Sequence, residues 1–357
     1  MSPLTRHHPP ALPSLDVEDR AALEDLYVRG TPENTLRAYE RDLVYLTAWK
    51  RTRFYESNVA FKKPLEWPEQ EEVALRFILD HSRDLTDATG RARETADQLI
   101  KMGLRKSLAC PAASTLNRRI ASWSAFHRMR NLPNPFDTPL VRQARAKARK
   151  AMARPPAPKS AHPITKDVLL RLLDAGGPGL RGMRDRAILL LGWASGGRRR
   201  SEIVSLNRED IGLEEFEEKG VVWITLLGTK TTDAGTTPKL VLKGYAARML
   251  VAWIDAAQIS DGPLFRRITR TGALGQKRLS AAAVSQIVKR LLAEAGLDPS
   301  YASPHGLRSG FLTQAALDGA PLPAAMRLSL HRSAAQAQKY YDDVDVADNP
   351  ASDLLGD

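Results

Sequence analysis

The stretch Ser303-Pro304-His305-Gly306-Leu307-Arg308 places a histidine and an arginine three residues apart in the second half of the chain. His331 follows Arg308 by 23 positions, and Tyr340 follows His331 by nine. A histidine–arginine pair with this spacing is a weak signal by itself, because His127-Arg128-Met129-Arg130 has it too, in a helical pattern without such companions. The order and spacing of the whole set therefore decide the interpretation.

Two further motifs lie upstream of this stretch. Gly197-Arg198-Arg199-Arg200-Ser201-Glu202-Ile203 follows an apolar helical pattern at 185–193. Gly228-Thr229-Lys230-Thr231 lies in a turn between two segments of strand-like composition, 221–227 and 239–242. The second half of the chain is thus predicted to be mainly helical, with one β-hairpin that carries a lysine in its turn.

This order of residues resembles the catalytic domain of the tyrosine recombinase (phage integrase) family. The family pattern is an arginine with a glutamate three residues later, a hairpin lysine, HxxR, a histidine or tryptophan, and the nucleophilic tyrosine. Arg199 and Glu202 fit its beginning, and both downstream spacings match. The segment 31–43, TPENTLRAYERDL, also looks like the opening helix of the family's N-terminal DNA-clamping domain. The resemblance therefore extends over nearly the whole chain.

The resemblance implies that Tyr340 attacks a DNA phosphate, and the other residue types suit that chemistry. A pentacoordinate phosphorus carries extra negative charge, which fixed cationic donors stabilise where no metal does. We expect Arg199 and Arg308 to hold the non-bridging oxygens, because a guanidinium stays charged and offers paired planar donors. His305 and His331 are expected to add hydrogen bonds to those oxygens or to handle the tyrosine proton.

Glu202 and Lys230 complete the predicted site. Glu202 lies one helical turn beyond the first arginine and is expected to orient the site, and the family assigns Lys230 the protonation of the departing 5′ oxygen. Taken singly, Glu202 could cap a helix, Lys230 could be a solvated turn lysine, and His331 could be a core histidine. The chain departs from the family at Arg198, where relatives have a small or apolar residue, and at Leu330, where they commonly have glycine.

The composition indicates a nucleic-acid partner. The chain has 357 residues and a formal net charge of +12, so a polyanion is its natural ligand. We find no basic amphipathic helix suited to a membrane surface and no run approaching about 18 apolar residues. The single cysteine, Cys110, and the lack of a Cys/His cluster favour an intracellular protein without disulfides or zinc. We expect no metal, no cofactor and a cytoplasmic, nucleoid-associated location.

Three other features are interpreted as structure rather than as sites. The GxGxxG match at 177–182 is expected to be a loop, because helix precedes it and Pro178 lacks an amide proton that a phosphate would need. The sequence has no GxxxxGK[ST] motif, which argues against an ATP-driven helicase. The aspartates in 342–348 lack the glycine and the terminal glutamate of a calcium loop.

The organisation along the chain predicts two domains. The segment 138–166 has no acidic residue and eight cations, and it is broken by prolines at 155, 156 and 158. We expect a flexible tail (1–14), an N-terminal helical DNA-binding domain (15–152), a linker (153–163) and a catalytic domain (164–357). The cations expected to contact DNA are Arg142, Arg145, Lys147, Arg149 and Lys150.

Together these features predict a mainly α-helical protein with a small antiparallel β-sheet, whose two domains close around a duplex as a C-shaped clamp. The family implies site-specific DNA recombination through a 3′-phosphotyrosine, without ATP, by a homo-tetramer on paired double-stranded DNA sites, with accessory DNA-bending factors as further partners. Two alternatives stay open: DNA relaxation of the type IB topoisomerase kind, and non-catalytic DNA binding. Supercoil relaxation without a defined site favours the first, and failure to form a covalent adduct favours the second.

Overall fold

The computed structural model describes residues 16–54, 67–154, 159–226, 237–331 and 333–345. The chain divides into two compact units, residues 1–156 and 157–357. Both units are mainly helical, and the strands of the described part form small antiparallel sheets in the second unit, which confirms the predicted mainly α-helical fold with a small antiparallel β-sheet. The finer limits given above for tail, domains and linker stay predictions.

The first unit contains six α-helices in its described part. They are α1 (Val17–Gly30), α2 (Glu33–Phe54), α3 (Glu71–His81), α4 (Arg91–Lys101), α5 (Ala113–Met129) and α6 (Pro139–Ala151). Edge-to-face aromatic contacts fill its core, with ring centroids 4.9 Å apart for Trp49 and Phe77 and 5.3 Å apart for Phe77 and Trp123. Helix α6 carries the five cations predicted to bind DNA and buries Val141 and Ala148.

The second unit carries nine α-helices in its described part. They are α7 (Lys166–Ala175), α8 (Gly179–Ala194), α9 (Arg200–Ser205), α10 (Phe216–Lys219), α11 (Gly244–Ala256), α12 (Ala281–Glu294), α13 (His305–Leu317), α14 (Leu322–Ser329) and α15 (Ala334–Asp345). The strands are β1 (Ile211–Gly212), β2 (Val221–Thr225), β3 (Lys239–Lys243), β4 (Arg266–Ile268) and β5 (Leu274–Arg278). Strands β1, β2 and β3 form one sheet in that order, and β4 pairs with β5 as a separate hairpin.

The β2–β3 pair is held by apolar residues that alternate along each strand. Val222 pairs with Leu242 and Ile224 pairs with Leu240, and all four side chains are buried. They join the main core of this unit, to which helices α7, α8, α11 and α12 also contribute. The strand pair predicted from composition is therefore present, although β2 ends at Thr225 and residues 227–236 lie outside the described part.

The start of α8 differs from its predicted position. The helix begins at Gly179 rather than near 185, so residues 179–182, which are four of the six in the segment expected to be a loop, form its first turn. Gly182 is packed so closely that a Cβ there would lie 1.7 Å from the carbonyl oxygen of Gly177. Glycines and arginines in this segment hid the helix, because they break the apolar periodicity that marks one.

Candidate active site

A glycine corner brings the first arginine motif beside the second. Gly196 and Gly197 follow α8 with positive φ angles of 96° and 73°. A Cβ on Gly197 would lie 2.3 Å from the Cα atom of Arg308, and one on Gly196 would lie 2.3 Å from the carbonyl group of Leu328. Only glycine allows backbones to approach this closely, so these two residues bring the segment before α9 against α13 and the end of α14.

Arg199 and Glu202 form the N-terminal cap of α9. The backbone N–H of Arg199 donates to Oε2 of Glu202 at 3.2 Å, and Nη1 of Arg199 donates to Oε1 at 2.6 Å. The side chain of Glu202 is 9% exposed, whereas that of Arg199 is 35% exposed. One buried carboxylate therefore caps the helix and also orients the guanidinium, which stays accessible to a ligand.

Arg308 and His331 are in direct contact. Arg308 lies in the first turn of α13 and is 5% exposed. Its Nε and Nη2 atoms lie 3.2 and 3.0 Å from Nε2 and Nδ1 of His331, and its Nη1 donates to the carbonyl of Gly197 at 3.1 Å. Ser329 Oγ lies 2.8 Å from Nδ1 of His331. The structure thus brings together the two residues that are 23 positions apart in the sequence.

Leu330, the residue before His331, has an uncommon backbone conformation. Its φ and ψ angles are 53° and 41°, in the left-handed region that glycine adopts readily and leucine does not. A glycine at this position would adopt these angles without strain. Here the leucine side chain packs against the main core of the second unit.

His305 begins α13, and hydrogen bonds of two serines, Ser303 and Ser160, fix the backbone at this helix start. Its backbone N–H donates to Ser303 Oγ at 3.2 Å, and the Ser303 hydroxyl donates to the carbonyl of Lys159 at 3.0 Å. The backbone N–H of Ser303 donates to Ser160 Oγ at 2.9 Å. Sequence reasoning counted Lys159 only among the cations of the 138–166 segment and did not mention Ser160, because nothing in a linear motif shows that this segment lies against α13.

Positive charge dominates the site. Arg198, Arg199 and Arg308 surround a single carboxylate, Glu202, within the part of the chain that the structure describes. Burial lowers the pKa of Arg308 to about 10, and the charges of Arg198 and Arg199 add to this effect. Burial also lowers the pKa of Arg198 to about 10. The cluster therefore contains more cationic than anionic side chains.

The two histidines respond to the same cations. Burial, followed by the charges of Lys159 and Arg308, lowers the pKa of His305 from its ordinary 6.5 to about 4. Burial, followed by the charges of Arg308 and Arg199, lowers the pKa of His331 from 6.5 to about 4. Both imidazoles are neutral at pH 7, so each has a ring nitrogen that can accept a proton.

Arg198 is part of the site although its sequence position did not suggest it. The residue is 2% exposed, its Nη2 donates to the carbonyl of Leu328 at 2.7 Å, and its Nη1 lies 3.7 Å from Glu202. Its Nε has no hydrogen-bond partner among the described residues. Arg200, by contrast, is exposed and donates to Ser285 Oγ at 2.6 Å. The three consecutive arginines therefore occupy three different environments, of which only the middle one is accessible beside Glu202.

The adjacent tyrosines of α15 also differ in their surroundings. Tyr341 is 8% exposed, packs in an apolar cluster with Leu312, and donates its hydroxyl to the carbonyl of Ala320 at 2.9 Å. Tyr340 is half-buried and lies close enough to Arg308 for a phenolate charge to raise the pKa of that arginine. The arginine cluster and Tyr340 thus share one site, while Tyr341 contributes to packing.

The remaining predicted residues lie elsewhere. Lys230 lies outside the described residues. On α6 of the first unit, Arg145 donates to Oδ1 of Asn117 at 3.0 Å. The other cations of α6 are exposed: Arg142, Lys147, Arg149 and Lys150. Within the described ranges, no group of three or more histidine, cysteine, aspartate or glutamate side chains could bind a metal ion. The described helices also include none with the length and apolar character needed to span a bilayer.

The comparisons with known proteins identify the class of this protein as tyrosine recombinase. The model of the phage integrase family matches residues 163–346, and the chain belongs to this family. It is 34% identical over 238 residues to an integrase/recombinase xerD homolog of Selenomonas ruminantium, an alignment that covers 64% of this chain and 68% of that protein. It is 36% identical over 165 residues to tyrosine recombinase XerD of Xanthomonas axonopodis pv. citri, covering 44% of this chain and 50% of the relative.

Solved structures show the same fold at low sequence identity. The XerH site-specific recombinase bound to difH substrate has a TM-score of 0.55 at 15% identity, over 92% of this chain and 82% of that one. The Tn1549 transposon integrase in complex with circular intermediate DNA has a TM-score of 0.53 at 16% identity, over 89% of this chain and 93% of that one.

Proposed function

We propose that the protein cleaves and rejoins double-stranded DNA through a phosphotyrosine on Tyr340. The phenolic oxygen attacks a phosphate, the bond from phosphorus to the 5′ oxygen breaks, and a 3′-phosphotyrosine and a free 5′ hydroxyl result. A 5′ hydroxyl from another strand then attacks the phosphotyrosine and releases the tyrosine. The number of phosphoester bonds is unchanged, so no ATP is needed.

The observation that carries this proposal is the surplus of cations beside Tyr340. Arg199 and Arg308 lie with one shared carboxylate, Glu202, and Arg308 is desolvated. A bound phosphate would supply the missing negative charge, and the pentacoordinate transition state would supply more. We assign Arg199 and Arg308 to the non-bridging oxygens, because their guanidinium groups are fixed before the reaction begins.

The neutral histidines suit proton handling in this scheme. His331 is oriented by Arg308 and Ser329, and His305 is fixed at the start of α13 by Ser303. Either imidazole can take the proton that Tyr340 loses or donate a hydrogen bond to a phosphate oxygen. Lys230, outside the described residues, is proposed to protonate the departing 5′ oxygen, as the family resemblance implies.

The proposed substrate is a pair of duplex sites held by a homo-tetramer, with cleavage independent of metal ions. Two relatives of the same fold support duplex DNA as the ligand, since one is bound to difH substrate and the other to circular intermediate DNA. The exposed cations of α6 are proposed to contact DNA phosphates. Accessory DNA-bending factors are further proposed partners.

A suicide substrate with a nick near the cleavage point tests the proposal, because the cleaved end diffuses away and the covalent adduct accumulates. Tyr340→Phe should bind this DNA normally and form no adduct, while Tyr341→Phe should keep the adduct. Excess EDTA should leave cleavage by the unmodified protein intact. Loss of the adduct on chelation and recovery with magnesium would contradict the metal-free mechanism. An adduct in the Tyr340→Phe variant would exclude Tyr340 as the nucleophile.

A further inference from the structure

The second unit contains a long stretch that has cations and no acidic residue. Between Asp261 and Glu294 the sequence has no aspartate or glutamate. The stretch includes the β4–β5 hairpin and most of α12. Its cations are Arg266, Arg267, Arg270, Lys277, Arg278, Lys289 and Arg290. The cations of such a run either form hydrogen bonds within the protein or bind a polyanionic ligand, and the structure shows which cations form internal bonds.

One group of these arginines is used internally. Arg266 is buried and donates to the Pro263 carbonyl at 3.0 Å and to Gln276 at 3.2 Å. Arg278, its partner in the β4–β5 register, donates to the carbonyl of Leu206 at 3.0 Å. These side chains connect the base of the hairpin to the rest of the unit and are not available to a ligand.

A second group points outward. Arg267, Arg270 and Lys277 are exposed, and among the described residues none of them forms a side-chain hydrogen bond or ion pair. Arg267 follows the buried Arg266 on β4, and Lys277 precedes the bonded Arg278 on β5, beside an irregularity of the strand register between Arg266 and Ile268. Both side chains are exposed to solvent. Like charges repel each other, and no carboxylate on the hairpin reduces the repulsion, whereas a bound anion would.

The hairpin is held rigidly. Arg181 Nη2 donates to the carbonyl of Thr269 at 3.0 Å, and Arg184 Nη1 donates to the carbonyl of Arg266 at 3.2 Å. Within the turn, the N–H of Thr269 donates to the Ala273 carbonyl at 2.9 Å. The outward cations are therefore presented on a fixed frame, which lowers the entropic cost of binding a ligand.

The frame lies near the candidate active site. Arg278 is bonded at the C-terminal end of α9, and Arg199 is the N-cap of the same helix. At 1.5 Å per residue, a helix of this length spans roughly 9 Å. This distance corresponds to about three base pairs along a duplex at 3.4 Å each. The base of the hairpin therefore lies within the length of a few base pairs of a phosphate held by Arg199.

We propose that the β4–β5 hairpin is a second, non-catalytic DNA contact, in which Arg267, Arg270 and Lys277 each meet a backbone phosphate beside the one held by Arg199. This inference rests on the proposed function for the identity of the polyanion. The hairpin supplies affinity and holds the duplex in position, and it makes no contact with the reacting atoms.

The test compares two triple variants with the same loss of charge. The hairpin variant is Arg267→Gln, Arg270→Gln and Lys277→Gln. The control replaces three exposed cations of the same unit outside the hairpin: Lys166→Gln, Lys243→Gln and Arg248→Gln. Duplex affinity is measured at several salt concentrations. Each lost phosphate contact reduces the steepness of the plot of log affinity against log salt concentration by about 0.9. The steepness should therefore fall by roughly 2 to 3 in the hairpin variant and by less than about 1 in the control.

Equal slopes for the two variants, or an unchanged slope for the hairpin variant, would overturn the proposal. Thermal unfolding of both variants checks that the fold is intact, since exposed substitutions change stability little. If the wild-type protein forms no adduct at all, the proposed function fails, while the salt slopes still decide the question of the hairpin.

Discussion

Two groups of buried charge in this protein, one in each unit, are built differently. In the first unit, Lys50 lies 2.7 Å from Glu69, with 6% and 3% of the side chains exposed, and Arg53 lies 2.9 Å from the buried Asp80. Each of these cations has its own carboxylate. In the second unit, Arg198, Arg199 and Arg308 have only Glu202 in common.

The difference separates charges that serve the fold from charges that serve a ligand. A buried cation with its own carboxylate is electrostatically complete, and removing either partner leaves an unpaired buried charge. A cluster in which cations outnumber carboxylates carries an electrostatic cost until an anion arrives. That cost supports a phosphate site in the second unit and structural pairs in the first.

The largest expected effects come from removing one cation of each kind. Arg308→Gln should slow adduct formation by roughly a thousand-fold or more, because a preorganised donor to the transition state is lost. Lys50→Met should instead lower the free energy of unfolding by about 3 to 5 kcal/mol, because Glu69 stays buried without a partner. Single-turnover cleavage and urea unfolding of both variants measure these changes.

The comparison fails if the two variants behave alike. Arg308→Gln should change the free energy of unfolding less than Lys50→Met does, and Lys50→Met should cleave at the wild-type rate at temperatures where it is folded. A matched double variant, Lys50→Met with Glu69→Leu, should recover most of the lost stability, because no unpaired charge is left.

The next expected effect is a lowered pKa of two histidines. Both His305 and His331 should titrate near pH 4 in the protein without DNA, and ring-proton NMR with single His→Gln variants for assignment measures this. Since both folded-state pKa values lie below the unfolded value of about 6.5, the stability that these groups contribute is present above pH 6.5. It is lost as the pH falls from 6.5 towards 4. Midpoints near 6.5 would contradict the burial of these imidazoles beside the cations described here.

The smallest effect concerns the backbone before His331. At an ordinary position glycine is less stabilising than alanine by about 0.5 to 1 kcal/mol. At position 330 the order should reverse, with Leu330→Gly more stable than Leu330→Ala by about 1 kcal/mol, because only glycine relieves the left-handed conformation. Both variants lose the same leucine packing, so the difference between their free energies of unfolding reports the cost of the left-handed backbone conformation. Alanine as the more stable variant would exclude a left-handed conformation at this turn.

Strongly periodic elements were predictable from the sequence. The apolar helical pattern at 185–193 lies within α8, and the strand-like segments at 221–227 and 239–242 overlap β2 and β3. The order of the site residues was readable too, because the spacings from Arg308 to His331 and from His331 to Tyr340 match the family pattern. Periodicity and spacing can be read from the sequence because they do not depend on which distant segments come into contact.

The parts that were missed depend on contacts between distant segments. The β4–β5 hairpin was not predicted, because its strands carry arginines and a glutamine where alternating apolar residues would mark a strand. The burial of Arg198 depends on the carbonyl of Leu328, 130 positions away. The position of Ser160 beside Ser303 depends on a similar separation. No spacing rule within one motif contains such information.

The nucleophile is tested most directly by locating the covalent bond. The adduct trapped with the suicide substrate is digested first with nuclease and then with trypsin, which cleaves after Lys339 and gives a peptide that begins with Tyr340 and Tyr341. Fragmentation by mass spectrometry then assigns the residual nucleotide to one of them. The site described here predicts a nucleotide on Tyr340, beside Arg308, and none on Tyr341, whose hydroxyl is bonded to Ala320. A nucleotide on Tyr341, or a peptide with neither tyrosine modified, would contradict the phosphotyrosine mechanism proposed for this protein.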